Sequence, residues 1–104
     1  MKTRSNLLVF ALAFPCSMGN ALGSEDLARK YGCLACHAID KKVIGPAYRD
    51  VAAKYRNDPV AEAKLMEKVR AGGKGTWGEI FMPPIELVPT GDQRILVRWI
   101  LSLK

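Results

Sequence analysis

The sequence predicts a small all-α domain: about four short helices wrapped around a group the chain does not itself supply, with one long loop closing over it. Three observations lead there. Apolar residues recur at helical spacing in four separate segments, and no segment alternates apolar with polar residues as a half-buried strand would. The stretch between Gly72 and Pro89 is rich in Gly and Pro, yet it carries Trp77, Ile80, Phe81 and Met82, which need an apolar surface beneath them. The helical stripes are too short to offer that surface.

A chain of 104 residues has room for one domain. With 49% hydrophobic and 25% charged residues it is not a disordered acidic or basic tail. No run approaches the roughly 20 apolar residues of a membrane-spanning helix, so no membrane span is expected. Residues 1–23 read as a cleaved signal peptide: Lys2 and Arg4 precede an apolar run from Leu7 to Phe14, and the segment ends in Ala21-Leu22-Gly23. Bulky Phe14 and Pro15 argue against a lipid anchor on Cys16. Cleavage after Gly23 leaves residues 24–104 as the exported domain and lowers the formal net charge from +6 to +4. It also leaves Cys33 and Cys36 as the domain's cysteines. At this size hydrophobic burial alone gives thin stability, and a staple or cofactor is the usual remedy.

The elements follow in order. Ser24 caps a first helix with Glu25 and Asp26 in its first turn, Leu27 pairs with Tyr31 at i, i+4, and Gly32 ends it. Tyr48, Val51, Ala52 and Tyr55 share one face of a second helix. Asp58-Pro59, a capping acid followed by proline, opens a third, with Ala61, Leu65 and Val69 on its stripe and a stop at Gly72-Gly73. Thr90-Gly91-Asp92-Gln93 reads as a capping box for the last helix. That helix buries Leu96, Trp99, Ile100 and Leu103 and turns Arg94 and Arg98 elsewhere.

Cys33-Leu34-Ala35-Cys36-His37 carries the chemistry. Cys-x-x-Cys-His is the attachment signature of c-type haem: two thiols three residues apart reach the two vinyl groups on one porphyrin edge, and the adjacent imidazole becomes an axial ligand. A thioredoxin-like dithiol needs a βαβ setting that is absent here. A tetrahedral zinc site needs a fourth ligand beyond Cys33, Cys36 and His37, and no further His exists. A plain disulfide remains an alternative for an exported chain.

An axial imidazole needs an acceptor for its other N–H. Pro46 follows closely, and its carbonyl is the candidate. For the sixth position the methionines compete by setting. Met66 sits beside Leu65 in a helix and reads as core, whereas Met82 lies in the long loop, its backbone restricted by Pro83 and Pro84. A thioether is a weak ligand that benefits from restraint, so Met82 is the candidate.

Cys33 to His37, Val43-Ile44-Gly45-Pro46-Ala47-Tyr48, Asp50 to Lys54, Trp77-Gly78 and Met82-Pro83-Pro84 together resemble the bacterial class I cytochromes c of the c-551 type. The likeness runs in order through nearly all of residues 24–104. It implies the small cytochrome c fold around one haem c, thioether bonds at Cys33 and Cys36, and axial ligation by His37 and Met82. It implies that Pro46 serves His37 and that Trp77 lies near a haem propionate. It further implies a monomeric periplasmic electron carrier, not an enzyme. Its redox partners would be a cytochrome bc complex or similar donor, and a haem nitrite reductase or an oxidase as acceptor. Two departures are visible: a slightly short segment before Cys33, and an apparent extra residue near Val88-Pro89.

Arg29-Lys30, Lys41-Lys42, Lys54, Arg56 and Lys74 flank the chemistry-bearing segments, a surface suited either to an acidic redox partner or simply to solvent. Export and the lack of a recognition element argue against nucleic acid. Three function classes are thus in view. A one-electron carrier leads; a haem enzyme or gas sensor with a labile sixth ligand comes second, and a haem-free thiol oxidoreductase third.

Overall fold

Leu96, Val97 and Ile100 of the C-terminal helix are the residues around which the fold closes. The computed structural model describes residues 24–104; the expected signal peptide, with Lys2, Arg4 and Cys16, lies outside the described residues. The elements are α1 (Ser24–Lys30), a 3-10 turn (Cys33–Ala35), α2 (Tyr48–Tyr55), α3 (Ala61–Ala71), β1 (Gly73–Gly75), β2 (Gly78–Met82) and α4 (Thr90–Ser102). Helices α1, α2 and α3 all pack on α4. The result is mostly helical, as expected. Among the described residues no helix is long and apolar enough to cross a membrane.

Local chemistry explains most boundaries. In α1, Glu25 and Asp26 lie in the first turn and Arg29 and Lys30 in the last, so both ends suit the helix dipole. Gly32 follows at φ 78°, the left-handed conformation that lets the chain turn straight into Cys33. Helix α3 starts two residues after Pro59. Asp58 caps the turn ahead of it, accepting the Val60 N–H at 2.9 Å and the Lys64 ammonium at 2.7 Å.

Two expectations need correction. The Thr90 capping box does not form, and no side chain caps the start of α4. Gln93, buried, instead donates to the Val88 carbonyl at 3.0 Å, and neighbouring Asp92 accepts the Tyr31 hydroxyl at 2.5 Å, tying the residue after α1 to α4. The long loop is also not strand-free. β1 and β2 form an antiparallel hairpin with Gly73 opposite Met82 and Gly75 opposite Gly78. Three of its residues are glycines at positive φ, which have no side chains to write an alternating pattern.

The core is thin. Leu27 and Ala28 of α1, Tyr48 and Val51 of α2, and Leu65 and Val69 of α3 close on α4, with Met66 partly buried against them as expected of a core methionine. Among the described residues, Leu96 and Val97 are the large side chains fully shut away from solvent. The hairpin reaches this core only through Met82, and its Ile80 and Phe81 are 60% and 57% exposed.

Candidate cofactor cleft

The backbone after α1 folds back on itself to present one imidazole. The His37 N–H bonds to the Cys33 carbonyl at 2.9 Å, closing the Cys33–Ala35 turn. The Cys36 carbonyl then accepts from Ile44 and Gly45 at 3.1 and 2.7 Å, and His37 pairs with Lys42 in an isolated antiparallel bridge. Farther on, the N–H of Tyr48 donates to the Ala38 carbonyl at 2.9 Å, which brings α2 under the loop.

His37 is fixed on three sides. Its Nδ1 lies 2.7 Å from the Pro46 carbonyl oxygen. A carbonyl only accepts, so Nδ1 carries the proton and Nε2 keeps its lone pair. The Tyr48 ring stacks on the imidazole with centroids 4.9 Å apart and planes 18° from parallel. On Gly45, a Cβ would stand 2.5 Å from the imidazole Cε1 and 2.9 Å from each ring nitrogen, so only glycine fits against the ring.

The two thiols are free and unequal. Cys33 is buried and Cys36 half-buried. Burial pushes the Cys33 thiol above its ordinary pKa, and burial also raises that of the neighbouring Tyr48 phenol. A nucleophilic thiol is shifted the other way, toward the thiolate, so Cys33 is not placed to act as one. Among the described residues no three His, Cys, Asp or Glu side chains group as a metal site.

Met82, half-buried, ends β2. The segment after it is tied to α3: the Ile85 N–H donates to the Val69 carbonyl at 2.8 Å, and Gly72 packs against the Met82 carbonyl.

All six residues singled out in the sequence, Cys33, Cys36, His37, Pro46, Trp77 and Met82, line one cleft of about 280 Å³. A single water takes up roughly 30 Å³ of liquid, so a gap this large in so small a domain is no packing flaw. The same cleft is flanked by Ile80 and Phe81, the apolar residues without a core. A flat apolar macrocycle fits this chemistry: a greasy lining, two thiols near one edge, an oriented imidazole lone pair and a thioether. Met66 is not on the wall.

Some contacts around the cleft had no sequence signal. Tyr48 was legible as a buried helix position but not as the stacking partner of His37. The close approaches at Gly45 and Gly72 exist only in three dimensions. Of the basic residues, Lys42, Lys68 and Lys74 line the cleft, while Lys54 holds its ammonium 5.6 Å from the Trp77 ring centroid. Arg29 is paired with Glu25 and Asp26 on its own helix, which mutes its charge.

No family model matches the chain. Individual proteins do. The chain is 51% identical over 84 residues to cytochrome c-551 of Allochromatium vinosum, a match spanning 81% of this chain and 89% of that one. It is 48% identical over 80 residues to cytochrome c-551 of Pseudomonas aeruginosa, spanning 77% and 76%. Among solved structures, Nitrosomonas europaea cytochrome c552 superposes with a TM-score of 0.75 at 46% identity, covering 77% of this chain and 99% of that one.

Proposed function

The chain belongs to the small class I cytochromes c of the c-551 and c-552 type, and on that premise we propose that it is a periplasmic one-electron carrier with His37 and Met82 as axial ligands of a single haem c. Membership implies the haem c cofactor and electron transfer; the particulars of this chain are our reading. When bound, the haem supplies a ferric/ferrous couple that exchanges one electron without breaking bonds.

The chain's residues divide the remaining work. Cys33 and Cys36 would hold the macrocycle through two thioether bonds. Pro46, Gly45 and Tyr48 hold His37 in one tautomer and one orientation, so its Nε2 lone pair is available without rearrangement. Met82 would offer a soft thioether from the hairpin, leaving no open position for a substrate. Trp77, on the same wall, would lie near a propionate. Cleavage after Gly23 would release residues 24–104 into the periplasm, to receive electrons from a cytochrome bc complex or similar donor. The acceptor would be a nitrite reductase or an oxidase.

The observation that carries this reading is the meeting of all six sequence-chosen residues on one cleft. Protein expressed with cytochrome maturation factors tests it. Mass spectrometry should return the chain from Ser24 plus one haem, and the ferric spectrum should show the red thioether-to-iron band. Met82→Ala should abolish that band and let ferrous protein bind carbon monoxide readily. A bare polypeptide mass would refute covalent haem, and an unaltered Met82→Ala spectrum would refute the ligand.

A further inference from the structure

Helix α3 ends in a residue whose missing side chain is a seat. Gly72 has φ 68° and ψ −163°, a conformation essentially reserved for glycine, and its N–H closes the helix on the Lys68 carbonyl at 2.8 Å. A Cβ there would stand 2.3 Å from the Met82 carbonyl oxygen, 2.8 Å from the Pro84 nitrogen and 2.9 Å from the Pro83 carbonyl carbon. All three are backbone atoms, so no rotamer change relieves the contact.

What rests on the seat is stiff. Pro83 and Pro84 fix their own φ, and Pro83 confines the backbone of Met82 to extended conformations. One side of the segment is paired through Met82 with Gly73, and the other is tied by the Ile85–Val69 bond. A push at Gly72 would therefore move Met82 with its segment.

We propose that Gly72 is a positioning residue for Met82: its bare backbone sets how far the thioether reaches into the cleft, and so the strength of the sixth bond and the midpoint potential. This rests on the reading of Met82 as ligand. A helix-terminating glycine needs only its positive φ. A positioning glycine also needs the empty space on its Met82 side.

Gly78 separates the two. It too has positive φ, 113°, but a Cβ there meets nothing within 4 Å. Wild type, Gly72→Ala, Gly78→Ala and Met82→Ala are compared as holoproteins for thermal midpoint, ferric red band, midpoint potential and carbon monoxide binding. Gly72→Ala should weaken the band, lower the potential and speed carbon monoxide binding about tenfold or more, in line with the strain expected at one such backbone position. Gly78→Ala should lose thermal stability alone. Pro83→Ala approaches from the opposite side, and gives a result even if Gly72→Ala does not accumulate: softening the segment should also weaken the band and speed carbon monoxide binding. An unchanged band, potential and binding rate in Gly72→Ala, or in Pro83→Ala, overturns the proposal. A wild type lacking the band, or Met82→Ala retaining it, overturns the ligand reading instead.

Discussion

The Pro46 carbonyl oxygen sits 2.7 Å from Nδ1 of His37, nine residues away in sequence, and the main chain between them is folded back so that Gly45 and Tyr48 close on the same ring. An acceptor made of backbone cannot be lost by changing the Pro46 side chain. The neighbours that keep the ring against it can be changed, and each gives a measurable consequence.

Gly45→Ala puts a methyl inside contact distance of the imidazole, 2.5 Å from Cε1. Either the ring or the loop must yield, and overpacking of this kind costs about 1–3 kcal/mol. Chemical denaturation should show the lost stability, and the His37 Nδ1–H resonance should shift as its bond to Pro46 lengthens. If both readings matched the parent protein, the ring would not be held by Gly45.

Tyr48→Leu keeps an apolar side chain at a buried position but removes the stack on His37 and the edge contact with Trp99, whose centroid lies 5.7 Å away. Aromatic pairs contribute about 0.5–1.5 kcal/mol each beyond burial. Tyr48→Phe preserves both geometries and should lose much less. Equal unfolding midpoints for the two variants would show that the ring contacts contribute nothing.

Asp58 supplies a pH signature. Its bonds from Lys64 and the Val60 N–H hold the carboxyl below the usual range, and the same partnership holds Lys64 above its own. As pH falls, the unfolded chain takes up this proton before the folded one does, so the contribution is complete above the ordinary carboxylate value and is lost as pH drops through the folded value. Lys64 mirrors this at the alkaline end: its contribution is complete below the ordinary lysine value and is lost as pH rises through the folded one. Asp58→Asn keeps a capping amide but no charge. It should melt below the parent at neutral pH, with the gap closing in acid. A gap that stayed constant in acid would rule the charge out.

Much of this molecule is written locally. The Cys33–His37 motif states its chemistry by spacing, and the stripes of Leu65–Val69 and Leu96–Ile100 state which faces are buried, because each depends on residues within two turns. The rest depends on partners far along the chain. Thr90 and Gln93 spell a capping box, but the Val88 carbonyl takes Gln93, and Tyr31 takes the neighbouring Asp92. The hairpin leaves no alternating pattern in the sequence, because Gly73, Gly75 and Gly78 have no side chains. Gly45 and Gly72 look like ordinary loop punctuation until the atoms beside them are known.

Because α1, α2 and α3 each dock on α4, a polypeptide whose final helix has not yet emerged has nothing to close upon. Cys33 is buried in the same cluster as Leu96, Val97 and Ile100, so its shielding from solvent is complete only when that helix is in place.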